Sequence, residues 1–445
     1  MWLDNLLLKA KQEMFFPEAC RLSRQTRREA GLSRDEIVAI QQMRCQKLLK
    51  FVFEKVPLYQ EKYRACGIES GDLEKDDVWE KLPVLTKDEV RLAPEKLLPA
   101  GMTLTDLRCS ATGGSTGEPV KFYKSSQQLD KFLGRYFHES IQLYPVDSIA
   151  LVGRKVPDEN SWKYKLRSLV VRPLYAHLDA KLVTPESMQQ FAAKLQRFKR
   201  YYIYGYAGGI YEFSCFLAKS NIKLNPPVAV LTTSAPIADF QREKMQRVFQ
   251  APVYNQYGCC EIPWLAMECR CQNGMHVLDP ARKIEIVDEN NCICPDDQVG
   301  NILLTNLHEY QFPLIRYRVG DRAARLSGQC SCGCNLSRIS AVRGRETDCV
   351  YLPDGGFVAG DYLTTVFDDY PHAVTAFQVI QHDLNNITLS VVVNEQYADA
   401  RKEIALVTNM LKQRFLNMNL LVKEVESIAS DRGKIRYIIN YMNRR

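Results

Sequence analysis

Ser110-Ala111-Thr112-Gly113-Gly114-Ser115-Thr116-Gly117-Glu118-Pro119 is the stretch whose reading decides the rest of the chain. Four hydroxyl residues and three glycines share its ten positions, and a proline closes it. Glycines let a backbone bend tightly and come close to a ligand. Hydroxyls and bare N–H groups then offer donors to anionic oxygens, a composition suited to a polyphosphate. Taken alone, the stretch could equally be a flexible linker. It is neither a Walker A loop, because no Gly-Lys-Ser/Thr follows, nor a G-x-G-x-x-G dinucleotide fingerprint.

Downstream of the loop, residues 120–123 read as a strand and 127–144 as an amphipathic helix. Short apolar strands follow at 149–152, 201–204, 228–233 and 252–254, with helices at 185–198 and 239–249 between them. Strands alternating with helices argue for an α/β sheet, mainly parallel. Upstream, residues 1 to about 80 read as helical; 26–48 carry apolar residues at helical spacing, and Ser33 stands as an N-cap before Asp35 and Glu36. From Lys283 the character changes, and 283–287, 300–305 and 314–317 read as short antiparallel strands. The C-terminal region forms a small unit of its own, with a strand at 387–393, a helix at 398–417 and a strand at 421–425.

Composition narrows the classes. A chain of 445 residues calls for two domains or three. With 46% hydrophobic and 25% charged residues it reads as a soluble globular protein. Its apolar runs are far short of a membrane span, and early charges argue against a signal peptide. The net charge of +7 comes with no nucleic-acid-binding signature, so it reads as a solvated surface that attracts anionic substrates. Fifteen cysteines, an odd number without an export signal, argue against a disulfide framework and for a cytoplasmic location.

Five further stretches carry candidate chemistry. Leu231-Thr232-Thr233-Ser234-Ala235-Pro236 ends a strand in small residues, where ligands sit in parallel sheets, or is a plain strand-to-helix turn. Tyr254-Asn255-Gln256-Tyr257-Gly258-Cys259-Cys260-Glu261 places an aromatic, a glycine and a carboxylate in one turn. Such a carboxylate can hold Mg²⁺ together with substrate phosphates, or can be an ordinary surface Glu. Tyr317-Arg318-Val319-Gly320-Asp321 ends in a Gly-Asp pair whose carboxylate could accept two hydrogen bonds from a ribose diol, or could simply turn the chain. Arg343-Gly344-Arg345-Glu346-Thr347-Asp348 reads as a hinge or a solvated linker. Lys434, in Asp431-Arg432-Gly433-Lys434-Ile435, could reach developing negative charge at a phosphate.

In this order and spacing the set resembles the adenylate-forming superfamily of acyl-CoA synthetases, luciferases and nonribosomal adenylation domains, from about Leu82 to Lys434. Within it the chain is most similar to the phenylacetate–CoA ligase branch and its capsule-synthesis-type relatives. The resemblance implies an α/β fold with a large N-terminal domain (1–344), containing parallel sheets and a small antiparallel subdomain, and a small mobile α+β C-terminal lid (345–445). It implies ATP and Mg²⁺, a carboxylic acid joined to AMP with release of pyrophosphate, and a nucleophile, most often CoA, that displaces AMP. By resemblance Ser110, Thr112, Gly113, Gly114, Ser115, Thr116 and Gly117 would grip phosphates, while Ser234, Ala235, Pro236, Tyr257 and Gly258 would face the adenine. Glu261 would bind Mg²⁺, Asp321 the ribose, with Arg343 beside the nucleotide; Asp348 would be the hinge and Lys434 the lysine that assists adenylation. The chain departs in having Cys260 where the family usually has Thr, and in Tyr351-Leu352-Pro353-Asp354-Gly355-Gly356 after the hinge, more like the capsule-type relatives than the CoA users.

Cys269-Arg270-Cys271, His276 and Cys330-Ser331-Cys332-Gly333-Cys334 can complete a four-ligand zinc site or stand as reduced thiols in turns. By resemblance to relatives with a structural zinc the ligands would be Cys269, His276, Cys330 and Cys332, with Cys271 and Cys334 as spares. Phe132, Tyr136, Phe137, His138, Tyr204 and Tyr206 could line an aryl pocket or belong to the core. The expected partners are a small-molecule carboxylic acid, aromatic by preference, and CoA, a carrier protein or an amine as acyl acceptor. A homodimer is the candidate assembly, with no nucleic acid and no membrane. The rival reading is a non-catalytic relative that binds nucleotide or zinc and acts through protein contacts.

Overall fold

The computed structural model describes residues 10–75, 78–111, 120–125, 127–153, 175–180, 184–234, 237, 239–342, 350–354, 357–358, 360–363, 366–367, 369–370, 372–415, 417–428, 430–431, 434–435 and 438–443. The chain divides into two compact units, one gathering Met1–Thr112, Val120–Asp147 and Tyr254–Arg345, the other containing Ser148–Val253 and Glu346–Arg445.

The first unit starts with the helices Pro17–Ala30, Arg34–Lys55 and Pro57–Ala65. The helical pattern across 26–48 is interrupted at Gly31, and the next helix restarts on Ser33, whose side chain accepts from the Glu36 N–H while Glu36 reaches back to the Ser33 N–H. Arg282–Val287, Val299–Asn306 and Tyr317–Ala324 form an antiparallel sheet in that order. The third strand begins at Tyr317, where the sequence reading had it end. Residues 314–316 are held out of the sheet by distant partners: the Ile315 N–H donates to Tyr59 Oη at 3.0 Å, and the Arg316 N–H donates to Thr305 Oγ1 at 3.0 Å. Arg316 sits at φ 47°, and its buried guanidinium pairs with Glu285 at 3.1 Å. A charge buried this way needs its carboxylate and carbonyl partners in place, which fixes the local backbone. A second antiparallel set runs Arg338–Ile339, Met275–Val277, Ala266–Glu268, Val253–Tyr257. One apolar core, including Val52, Tyr59, Leu85, Phe122, Ile262 and Tyr317, joins these pieces.

In the second unit the strands Val230–Thr233, Tyr201–Tyr206, Ser148–Gly153 and Tyr175–Asp179 lie side by side and parallel. The helices Pro185–Leu195 and Ala207–Lys219 pack on these strands, which is why the strands read as apolar runs. Gly205 admits no side chain, since a Cβ there would lie 1.8 Å from the Val152 carbonyl oxygen. The C-terminal sheet runs Asn419–Glu424, Asn386–Val393, Val374–Gln381, Ile438–Asn440, with the helix Ala400–Arg414 linking its first, parallel pair. Within this unit Arg414 pairs with Glu212 on the helix Ala207–Lys219, and its guanidinium lies 5.0 Å from the Tyr362 ring centre. Among the described residues no helix is long and apolar enough to cross a membrane.

Candidate functional site

The strand Val253–Tyr257 is buried along its length and delivers Tyr257 to a turn formed by residues 258–263. The turn is closed by the Cys259 N–H donating to the Ile262 carbonyl at 3.0 Å and by the Gln256 amide donating to the Pro263 carbonyl at 2.8 Å. This closure carries Glu261 inward, where it is only 5% exposed. An acid buried to that degree needs partners, and Tyr317 supplies one: its hydroxyl donates to Glu261 Oε1 at 2.9 Å. Tyr257, at the base of the same turn, donates to Asp321 Oδ2 at 2.9 Å. The two motifs therefore exchange hydrogen bonds, each tyrosine serving the other motif's carboxylate. Burial, with the nearby Glu261 carboxylate adding to it, holds the Tyr317 phenol well above its usual range, and burial with Asp321 does the same for Tyr257. Burial followed by Glu261 also raises the Cys259 thiol. Both phenols thus stay protonated and act as donors. The sequence reading named Glu261 and Asp321 but gave Tyr317 no part; a phenol four residues before Asp321 was the available signal.

The other candidates are placed unequally. Ser110 is half-buried on the strand Arg108–Ala111, and its hydroxyl lies 3.4 Å from the Phe122 carbonyl oxygen. Thr112, Gly113, Gly114, Ser115, Thr116 and Gly117 lie outside the described residues, as do Ala235, Pro236, Arg343 and Asp348. Ser234 follows the strand Val230–Thr233 at φ 73°, exposed. Lys434 opens the strand Lys434–Ile435 with its backbone opposite Asp431. Phe132 and Phe137 are core residues, and His138 packs edge-on against Trp264 with ring centres 5.0 Å apart.

A second cluster is built on the hairpin Ala266–Glu268/Met275–Val277 and the loop that follows Tyr317–Ala324. The ligand atoms of Cys269, His276, Cys330 and Cys332 all lie within 4.8 Å of one another. Cys269 Sγ and Cys330 Sγ are 3.7 Å apart, and Cys332 Sγ is 3.3 Å from His276 Nε2. Tetrahedral zinc with Zn–S near 2.3 Å places its sulfur ligands about 3.8 Å apart, so the donor set and its spacing fit that ion. His276 Nδ1 faces the Leu336 carbonyl oxygen at 3.4 Å, which selects the tautomer with Nε2 available as a ligand. Burial lowers the His276 pKa, keeping the ring neutral. The Cys271 and Cys334 N–H groups each lie 3.4 Å from the Sγ of Cys269 and Cys332, and Cys334 Sγ itself stands 3.6 Å from Tyr136 Oη.

Residues 350–441 match the family described as CapK C-terminal domain. The chain is 23% identical to protein CapK of Staphylococcus aureus, over 98% of this chain and 96% of that protein. It is 24% identical to phenylacetate-coenzyme A ligase of Thermus thermophilus, over 82% of this chain and 83% of that one. Among solved structures, 2-hydroxyisobutyryl-CoA ligase in its postadenylation state aligns with a TM-score of 0.61 at 17% identity, covering 93% of this chain and 91% of that one. Over most of its length the chain is thus similar to CapK and to the phenylacetate–CoA ligases, and it shares the fold of 2-hydroxyisobutyryl-CoA ligase.

Proposed function

We propose that the protein is an ATP-dependent carboxylate ligase: it joins a carboxylic acid, aromatic by preference, to AMP with release of pyrophosphate, then transfers the acyl group to the thiol of CoA. The observation that carries this is the buried pairing of Glu261 and Asp321 through Tyr317 and Tyr257, which sets two carboxylates into one cluster of the first unit. In this reading Glu261 holds Mg²⁺ and Asp321 the ribose, with Tyr257 and Gly258 beside the adenine. Ser110 and the hydroxyl-glycine stretch through Gly117 take the phosphates, and Ser234-Ala235-Pro236 and Arg343 complete the nucleotide contacts. Lys434, carried on a lid of residues 345–445 that turns at Asp348, neutralises charge as the acyl–phosphate bond forms. An acyl-phosphate transition state needs charge neutralisation and positioning rather than a protein nucleophile, and these residue types supply both. Cys269, His276, Cys330 and Cys332 hold a structural zinc.

The acceptor has a second reading. CapK is similar over 98% of the chain, and the family match at 350–441 is to a CapK C-terminal domain, whereas the phenylacetate–CoA ligases align over 68–82% of the chain. With the CoA ligases matching less of the chain than CapK does, an amine or carrier protein stands as the alternative acceptor.

The test is pyrophosphate release with ATP and Mg²⁺ across aryl and aliphatic acids, with and without CoA, beside Lys434→Ala. Release should depend on one acid class and fall by orders of magnitude in the variant. Release unaffected by Lys434→Ala, or none with any acid in protein that binds ATP, rejects the ligase.

A further inference from the structure

We infer that Tyr317 is the positioning residue for the metal-binding carboxylate Glu261, and that the crossed tyrosine pair sets the spacing between the metal site and the ribose site; the inference rests on the ligase reading above. Tyr317 and Tyr257 stand at the ends of different strands, Tyr317–Ala324 and Val253–Tyr257. Neither hydroxyl serves its own motif. Tyr317 is fully buried, packs edge-to-face on Phe122 with ring centres 5.7 Å apart, and donates to Glu261 Oε1. Its ring is therefore locked, and the direction of its hydroxyl is set by the core rather than by solvent.

Glu261, in contrast, sits on a six-residue turn without regular structure. A glutamate side chain has three rotatable bonds, and freezing them costs conformational entropy unless a partner holds them beforehand. A hard cation such as Mg²⁺ demands near-octahedral geometry and keeps several waters, so a carboxylate that wanders binds it weakly. The Tyr317 hydroxyl engages Oε1 and so fixes the plane of the carboxylate before any ligand arrives. Through the reciprocal Tyr257–Asp321 bond, the turn bearing Glu261 is tied to the strand bearing Asp321. A nucleotide whose ribose sits on Asp321 then meets the metal ligand at a set distance along its phosphates.

The test compares binding of ATP with and without Mn²⁺ by calorimetry, and bound Mn²⁺ by electron paramagnetic resonance, in wild type, Tyr317→Phe, Glu261→Gln and the double variant. Phenylalanine keeps the ring and its packing. Tyr317→Phe should weaken Mn²⁺-dependent ATP binding about tenfold, as expected on losing a hydrogen bond to a charged group, while metal-free ATP binding stays within twofold. The double variant should bind no worse than Glu261→Gln alone, because the tyrosine acts through the carboxylate. Equal loss with and without metal would mean a structural role only and overturn the inference, as would full additivity of the two substitutions. Should Tyr317→Phe fail to fold, Tyr257→Phe carries the same question: it should alter discrimination between ATP and 2′-deoxy-ATP, and an unchanged ratio overturns the coupling. Wild-type protein that binds ATP with no metal dependence at all removes the ligase reading itself, and this inference with it.

Discussion

A side chain at position 258 has nowhere to go: a Cβ built there lies 1.9 Å from the Pro263 carbonyl oxygen, the same oxygen that accepts the Gln256 amide. The glycine is therefore what lets the strand end fold back tightly enough to bury Glu261. Gly258→Ala must push the two limbs of the turn apart. We expect a loss of about 1–3 kcal/mol in urea unfolding, the usual range for overpacking, together with weaker ATP binding. Unchanged stability and unchanged binding would show that the turn yields without cost. The residue types at this turn were legible from the sequence, but their partners were not. Tyr317 and Glu261 are far apart in the chain, and only the fold of the intervening sheet brings a phenol against that carboxylate.

At the scale of elements, the cysteine–histidine cluster joins a hairpin to a long loop that has little regular structure of its own. Such loops have few backbone bonds to hold them, and a four-ligand metal site contributes folding free energy directly. Purified protein should carry one zinc per chain by mass spectrometry. Cys330→Ser should release it and lower the thermal midpoint by several degrees. Metal-free protein as stable as the wild type would dismiss the site. The elements themselves were read unevenly. The strands Ser148–Gly153, Tyr201–Tyr206 and Val230–Thr233 stand out because burial on both faces leaves an apolar run. The edge strand Tyr175–Asp179 went unread because buried Ala176 and Leu178 alternate with exposed Tyr175 and half-buried His177 and Asp179. Residues 314–316 mimic a strand in composition, yet bonds to Tyr59 and Thr305 dictate otherwise; tertiary contacts override local propensity there.

For the molecule as a whole, acid is the predicted weakness. Burial, with Arg135 adding to it, pushes His138 down to about 4, and burial with Arg44 and Arg282 pushes His308 down to about 3. An unfolded histidine titrates near 6.5. Both rings are neutral in the fold, so their contribution is fully present above about 6.5. It is lost as pH falls toward 4, because only the unfolded chain takes up the protons. On the order of 1–2 kcal/mol per histidine should be gone at pH 5. Urea midpoints at pH 7 and pH 5 check this: the drop should be smaller in His138→Phe than in wild type, and equal drops would rule the histidine out as a cause. The alternation of strands and helices was enough to place the chain in the α/β class. The interleaving of the two units along the chain was not legible, because the first unit is assembled from stretches that precede and follow residues 148–253 in sequence.

That interleaving bears on how the protein is made. On the ribosome the helices Arg34–Lys55 and Pro57–Ala65 emerge early, but the strands that cover their apolar faces arrive only after Tyr254. At ~5–20 residues per second, the nascent chain must carry an unfinished core for on the order of ten seconds. Meanwhile the strands and helices of Ser148–Val253 have emerged and have their own apolar cluster to bury. The helices of that unit thus wait for strands that come much later in the chain, and until then Leu48, Val52 and Tyr59 lack the apolar neighbours that cover them in the fold.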